Sequence, residues 1–319
     1  MADETPADEN FTPIRVATLR GDIKIPFDVY VRVAGKHILY CRQGSSFEGL
    51  RLERLKAKKL KKMYVRSEDE IPYKQYLEQS IDAAYSNTAG ALDVRTEVIQ
   101  GFQQAKAEEY MENPLDKTTY DHIKSSSQRF TEFIEHNPDA VRALLKIPNT
   151  DSSITHHSVA VAALSLALVL ASKLRDGHPL HLLTLGCLVH DMEHYLAEYP
   201  INKPLDQLTP EEKALYKEHP LKGAHRLQGV VFLDQLVINI ITQHEEHMDG
   251  SGFPKGLYEK DLDPLVLVAG TANAYDRMVS FEQRAPKDAI KAMLIDKLGM
   301  YPLAHLQNLQ AILKRHKIV

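Results

Sequence analysis

The sequence predicts a mainly α-helical protein with a small α+β domain near its start, and three observations carry that reading. From Ser152 onward, apolar segments of helical length follow one another, each bounded by helix-end signals. Between Phe27 and Tyr40 the apolar residues alternate with period two instead. The stretch between them, 71–147, has helical spacing cut by Asn113-Pro114, Asn137-Pro138 and Ile147-Pro148.

Residues 1–10 are acidic and polar and read as a disordered leader without the basic and apolar regions of a signal peptide. Residues 11–70 form the predicted α+β domain. Phe27 to Val33 is rich in β-branched and aromatic residues and reads as a strand, Ala34-Gly35-Lys36 as a turn, and His37 to Tyr40 as the returning strand of a hairpin. Residues 46–60 place Leu50, Leu52, Leu55 and Leu60 among bases, a helical pattern, and Met63-Tyr64-Val65 is a third strand. Residues 71–150 read either as a helical linker or as the first helices of the following domain. Ile81, Ala84, Tyr85 and Thr88 share one face there, and Phe130, Phe133, Ile134 and Val141 another.

The third region, 151–319, opens with the apolar stripe Val159, Ala162, Ala163, Leu166 and Leu170, followed by a buried helix over Leu180 to Val189. A third helix begins at Thr209-Pro210-Glu211-Glu212, where Thr209 caps, Pro210 takes the first helical position and Glu212 completes a capping box. Two more cover about 231–244 and 264–279.

Composition limits the function. The chain has 319 residues, 26% of them charged, and a net charge of −4. That balance excludes global disorder and argues against a general nucleic-acid binder. The basic run from Arg51 to Lys62 reads as a solvated helix face with Leu52, Leu55 and Leu60 turned inward; a protein partner is the expected role of this domain. Two cysteines, Cys41 and Cys187, give no disulfide framework, and Cys187 sits in an apolar run as a core residue. The most apolar stretch, Val159 to Ala171, is too short to span a bilayer. The expected compartment is the cytoplasm.

Histidine stands out: there are 15, most of them after Asp121. His157, the pair His190-Asp191, His219 and the pair His244-Glu245 fall at or near the ends of separate predicted helices, and a bundle can point such ends at one place. Imidazole with carboxylate suits iron, manganese, zinc or nickel. Successive helical side chains point about 100° apart, so His190 can bind one ion while Asp191 bridges to a second. A bridging carboxylate is what a two-metal phosphoryl-transfer site needs to hold its ions roughly 3.5–4 Å apart. His194, His225 and His247 read as ordinary histidines. The loop Asp249-Gly250-Ser251-Gly252-Phe253-Pro254, directly after His244-Glu245, forms a tight turn at the rim of such a site.

In order and spacing, His157-Ser158-Val159, His190-Asp191, Asn202-Lys203-Pro204, Leu208-Thr209, His219-Pro220 with Gly223, Gln243 to Glu246 and Asp249 to Pro254 resemble the HD-GYP family over about residues 150–290. The resemblance implies an HD-type helical bundle around a metal centre and hydrolysis of cyclic di-GMP. It implies metal roles for His157, in preference to His156, and for His190, Asp191, His219 and His244, with Asp191 bridging and His190 and Asp191 catalytic. It implies substrate contacts for Lys203, Gly252, Phe253, Arg284 and Lys287. The expected cofactors are two divalent ions, iron first and manganese as the alternative. The chain also departs from the family. His190-Asp191-Met192-Glu193-His194 stands where the family reads His-Asp-x-Gly-Lys, so His194 takes the lysine position. Glu245 replaces a second histidine and stays a candidate ligand. Phe253 replaces the tyrosine but keeps a ring that can stack on guanine. The late aspartate ligand falls on Asn273, with Asp276 one turn on at a structural position, and Ser153 replaces the glutamate of a third metal site. Two functions follow: a two-metal cyclic di-GMP phosphodiesterase, or a degenerate module that binds cyclic di-GMP or a protein partner. A third, another HD-type phosphohydrolase, is disfavoured by the Gly-Phe-Pro loop.

Overall fold

The computed structural model describes residues 10–319 except 22, 48–50, 59, 61, 148, 150–152, 173, 175–176 and 196–202. Residues 1–9 of the expected leader, together with Leu50, Lys59, Lys61 and Asn202, lie outside the described residues. The chain divides into two compact units, 1–105 and 106–319. The break falls inside the region that the sequence leaves open between linker and bundle.

The first unit holds an antiparallel sheet of β1 (Phe11–Arg15), β2 (Val29–Val33), β3 (Lys36–Cys41) and β4 (Lys62–Arg66), in the order β1-β4-β2-β3. The hairpin forms where expected. Val33 pairs with Lys36, and Ala34 and Gly35 both take positive φ, 48° and 79°, as the right-handed twist of a tight hairpin requires. The sequence reading missed β1. It is short and contains Pro13, a residue confined to sheet edges, and β1 is an edge strand paired with β4 alone. The helix expected over 46–60 is shorter, α1 (Arg51–Ala57), and Phe47 belongs to the unit's core instead. Leu52 and Leu55 are buried in that core, Leu60 packs against it, and Arg51 reaches the Tyr40 carbonyl. After β4 come α2 (Glu70–Ser86) and α3 (Leu92–Glu112).

The second unit is built on helices: α4 (Lys117–His136), α5 (Ala140–Lys146), α6 (Ile154–Leu170), α7 (Leu180–Val189), α8 (Met192–Tyr195), α9 (Pro210–Arg226), α10 (Gln235–Gln243), α11 (Pro264–Ser280), α12 (Pro286–Ile295) and α13 (Leu303–Arg315). The fold is therefore mainly α with a small N-terminal sheet. Helix α6 is the central element and packs on α4, α5, α7, α11 and α13. Its expected apolar stripe is buried, but so is nearly every other residue of the helix, which is how a helix that is apolar all round behaves. The capping box at Thr209 is present, with Thr209 Oγ1 accepting from Glu212 N and Glu212 from Thr209 N. Helix α10 starts four residues later than its apolar pattern suggests. Asp234 is held at the cap position by the Tyr120 hydroxyl at 2.8 Å and Lys124 at 2.5 Å, while Val231 is exposed. No helix among the described residues is long and apolar enough to cross a membrane.

Candidate metal centre

Five side chains converge in the second unit, placed by four helices or helix ends. His157 lies in the first turn of α6, His190 and Asp191 follow α7, His219 is in α9 and His244 follows α10. All five are between 0% and 4% exposed. Three glycines let the helices come this close. A Cβ at Gly186 of α7 would sit 2.4 Å from Ile240, one at Gly223 of α9 3.0 Å from Ile241, and one at Gly270 of α11 2.8 Å from the His244 carbonyl. Each seats its helix against α10 or the turn that carries His244.

The imidazoles have defined tautomers because each Nδ1 faces an oxygen that only accepts. His157 Nδ1 donates to Asp276 Oδ2 at 2.7 Å, His190 Nδ1 to the Cys187 carbonyl at 2.7 Å, His219 Nδ1 to the Tyr216 carbonyl at 2.5 Å, and His244 Nδ1 to the Ile240 carbonyl at 3.0 Å. In the neutral ring Nε2 is then a lone pair, and all four point at Asp191. Nε2 of His190 and His157 lie 3.3 and 3.6 Å from Asp191 Oδ2, and Nε2 of His219 and His244 both lie 3.3 Å from Asp191 Oδ1. The two halves are His157, His190 and Asp191 on one side and Asp191, His219 and His244 on the other, with the ligand atoms of each set within 4.8 Å of one another.

This arrangement is unfavourable without added positive charge. The Nε2 atoms of His219 and His244 are 2.9 Å apart, and His157 Nε2 is 2.9 Å from Asn273 Oδ1, so lone pairs face lone pairs. Among the described residues, buried Asp191 Oδ1 has no hydrogen-bond donor. Protons on all four rings would place like charges side by side in a dry site, which is costly. Divalent cations satisfy every one of these atoms together. Burial raises the pKa of Asp191, but the imidazoles packed around it, His190 and His194 foremost and then His219, outweigh burial and hold it well below the usual carboxylate range.

A second ring of groups braces the centre. Asn273 Oδ1 also lies 3.4 Å from His190 Nε2, and its Nδ2 donates to Glu245 Oε1 at 3.1 Å. Glu245 Oε1 accepts from the Tyr216 hydroxyl as well, at 2.6 Å. Burial pushes Glu245 up, but His244, His219 and the Tyr216 hydrogen bond bring it below its ordinary value. Burial raises Tyr216 well above the usual phenol. Arg277 lies over the Tyr216 ring at 4.7 Å and donates to the Lys203 carbonyl. Burial lowers its pKa, but Tyr216 and Glu245 more than offset this.

The structure places the remaining expected residues as follows. Phe253 meets the rings of Tyr216 and His219 edge-on at 5.7 and 6.2 Å. Gly252 is required where it stands, because a Cβ would fall 2.3 Å from His247 N and 2.5 Å from Glu246 Cα. The Lys203 ammonium is paired with Glu212 at 2.9 Å. Arg284 is exposed and paired with Glu282 at 2.9 Å, and Lys287 is exposed. His225 is exposed and His247 bonds to Ser251, as ordinary histidines do. His194 is different. It is buried, stacks on Tyr216, packs on His219 at 4.0 Å and brings Nε2 within 3.8 Å of Asp191 Oδ1. Reading the sequence missed its place, although i,i+3 spacing from Asp191 puts it on a shared helical face. Tyr216, three residues before His219, carries the same signal. Arg277 carries none.

The HD domain family matches residues 148–297. The solved structure of Bd1817, an HDG"Y"P protein from Bdellovibrio bacteriovorus, superposes with a TM-score of 0.89 and 46% identity over 96% of this chain and 100% of that one. The chain belongs to the HD-GYP family. Among curated relatives, the HD-GYP chain is 30% identical over 185 residues to a cyclic di-GMP phosphodiesterase of Pseudomonas aeruginosa, covering 57% of itself and 42% of that protein. It is 26% identical over 123 residues to a cyclic di-GMP phosphodiesterase of Borreliella burgdorferi, covering 39% of itself and 32% of that protein. The chain therefore spans less than half the length of these two relatives.

Proposed function

We propose that the chain is a metal-dependent phosphodiesterase that hydrolyses cyclic di-GMP at a centre holding two divalent ions. One observation carries the reading: four imidazole Nε2 lone pairs converge on the two oxygens of one buried carboxylate, two on each oxygen. The relatives named as cyclic di-GMP phosphodiesterases supply the substrate.

When bound, the ions polarise a phosphoryl group and lower the pKa of a water. The chain's own residues do the rest. His157, His190 and Asp191 would hold one ion, and Asp191, His219 and His244 would hold the other. Asp276 and the carbonyls of Cys187, Tyr216 and Ile240 keep each ring in the ligating tautomer. Phe253 offers an aromatic face for a guanine, and Arg284 and Lys287 offer cations to phosphate oxygens. Lys203 reaches a substrate only by leaving Glu212. Imidazoles with a carboxylate and an amide oxygen suit iron(II), with manganese(II) as the alternative. We place the protein in the cytoplasm, and assign partner binding to the first unit, whose hairpin exposes Val33 and Ile38.

A specific observation favours a second reading, a module that binds cyclic di-GMP without turnover. The lysine position holds His194, whose ring is buried against Tyr216 and His219, and burial lowers its pKa well below the ordinary value. A neutral imidazole in that place offers a phosphate no charge. Cyclic di-GMP turnover by protein loaded anaerobically with iron(II), and separately with manganese(II), decides between them. Turnover lost in Asp191→Ala supports the enzyme; tight binding with no turnover by metal-replete protein supports the module.

A further inference from the structure

Glu245 follows the metal-ligating His244 directly and is 8% exposed, yet its described partners are donors from the protein, not the cluster at Asp191. Its Oε1 takes a hydrogen bond from the Tyr216 hydroxyl and another from the Asn273 side-chain amide. An ionised carboxylate only accepts. The Asn273 side chain therefore has one allowed orientation, with Nδ2 toward Glu245 and Oδ1 toward the opposite side. On that side Oδ1 meets Nε2 of His157 at 2.9 Å and Nε2 of His190 at 3.4 Å. Both rings donate through Nδ1 elsewhere, so Oδ1 adds a third acceptor to two lone pairs on the Asp191 Oδ2 side of the centre.

We propose that Glu245 is a positioning residue that acts through Asn273: its carboxylate fixes the amide so that Asn273 Oδ1 serves as a neutral oxygen ligand to the cation held by His157, His190 and Asp191. The proposal rests on the two-ion reading of the centre. It makes the two residues a unit of complementary polarity. The acceptor-only group sits outside and the group with both a donor and an acceptor sits between it and the cation. An aspartate at 273 would be a stronger ligand in isolation, but here it would place a second carboxylate about where Nδ2 now donates. Two carboxylates at that separation repel, and the donor that now joins the pair is gone. The extra charge would therefore weaken the site in this chain, although it strengthens most cation sites. Exchanging the polarity of the pair restores the fit: with glutamine at 245, the new amide donates to an aspartate at 273, and the carboxylate faces the cation.

The test is calorimetric titration of the chelator-treated full chain with manganese(II), for the wild type, Glu245→Gln, Asn273→Asp and the double variant, with thermal unfolding of each metal-free protein as the control for folding. We expect Asn273→Asp to lose roughly 10–100-fold in affinity for one of the two ions, the usual size of a disturbed support to a ligand, and the double variant to recover most of that loss. Binding by Asn273→Asp as tight as the wild type's, or a double variant no better than Asn273→Asp, overturns the proposal. Should Asn273→Asp not fold alone, recovery of folding and of two-ion binding in the double variant supports the coupling, and failure to recover overturns it. A wild type that binds two ions without hydrolysing cyclic di-GMP sinks the catalytic reading and leaves the pair standing. A wild type that binds no manganese sinks both.

Discussion

Replacing Asp276 by alanine tests how the centre keeps its ligands ready. Asp276 Oδ2 accepts from His157 Nδ1 at 2.7 Å and from Ser280 Oγ at 2.8 Å, wholly within the buried interior. Without it His157 loses the acceptor that defines its tautomer. The ring then moves its proton to Nε2, where Asn273 Oδ1 waits at 2.9 Å, and the lone pair meant for a cation is gone. A buried hydrogen bond to a charged group contributes about 1.5–3 kcal/mol. The support it gives a ligating histidine corresponds to roughly 10–100-fold in metal affinity. These two figures describe the same interaction and agree, since tenfold is about 1.4 kcal/mol. Titration with manganese(II) at concentrations that saturate the wild type is expected to show one ion lost on the His157 side, with the His219 and His244 side retained. Asp276→Asn, whose side-chain oxygen still accepts from Nδ1, is expected to fall between. Unchanged two-ion binding by Asp276→Ala would refute the claim that His157 ligates through a tautomer held by Asp276.

Other perturbations probe the surroundings. Burial holds His194 neutral in the folded chain, with its pKa well below the ordinary value, whereas the unfolded chain protonates it near about 6.5. Metal-free stability therefore falls as pH drops below that value, by about 1.4 kcal/mol per pH unit for each such proton. His305 and His316, also lowered by burial, act in the same sense. His194→Gln should flatten the slope of unfolding free energy between pH 6 and 5 by one proton, and an unaltered slope would count against a buried neutral His194. Tyr216→Phe removes one of the donors to Glu245 and should destabilise the metal-free protein by about 1.5–3 kcal/mol in denaturant unfolding; a change under half a unit would mean the bond contributes little. Gly252→Ala forces a Cβ against the backbone of residues 245–247 and should cost about 1–3 kcal/mol as an overpacked site does, with the loop displaced and cyclic di-GMP binding weakened.

Much of this was legible because helix ends announce themselves. Thr209, Pro210 and Glu212 locate the start of α9, and the apolar run Leu180 to Val189 is α7 to the residue. Histidines at such ends could be read as converging because each belonged to a separate helix. The parts that escaped are those decided by neighbours distant in sequence. Strand β1 is stabilised by pairing with β4, not by its own pattern. The direction of Glu245 depends on Tyr216, 29 residues away, and on Asn273, 28 residues away. Residue type marks Glu245 as a candidate ligand, and only its partners show that its carboxylate is engaged by an amide and a phenol. In the sequence His194 reads as an ordinary histidine; its contact with Asp191 appears once the chain turns through α8.

The central claim is that Asp191 joins two cation sites. Metal content of anaerobically loaded, desalted protein, measured by inductively coupled plasma mass spectrometry for the wild type and Asp191→Ala, tests it most directly. The account predicts two divalent ions per chain in the wild type and the loss of both when the shared carboxylate is removed. A wild type holding a single ion, or an Asp191→Ala variant still holding two, would contradict it.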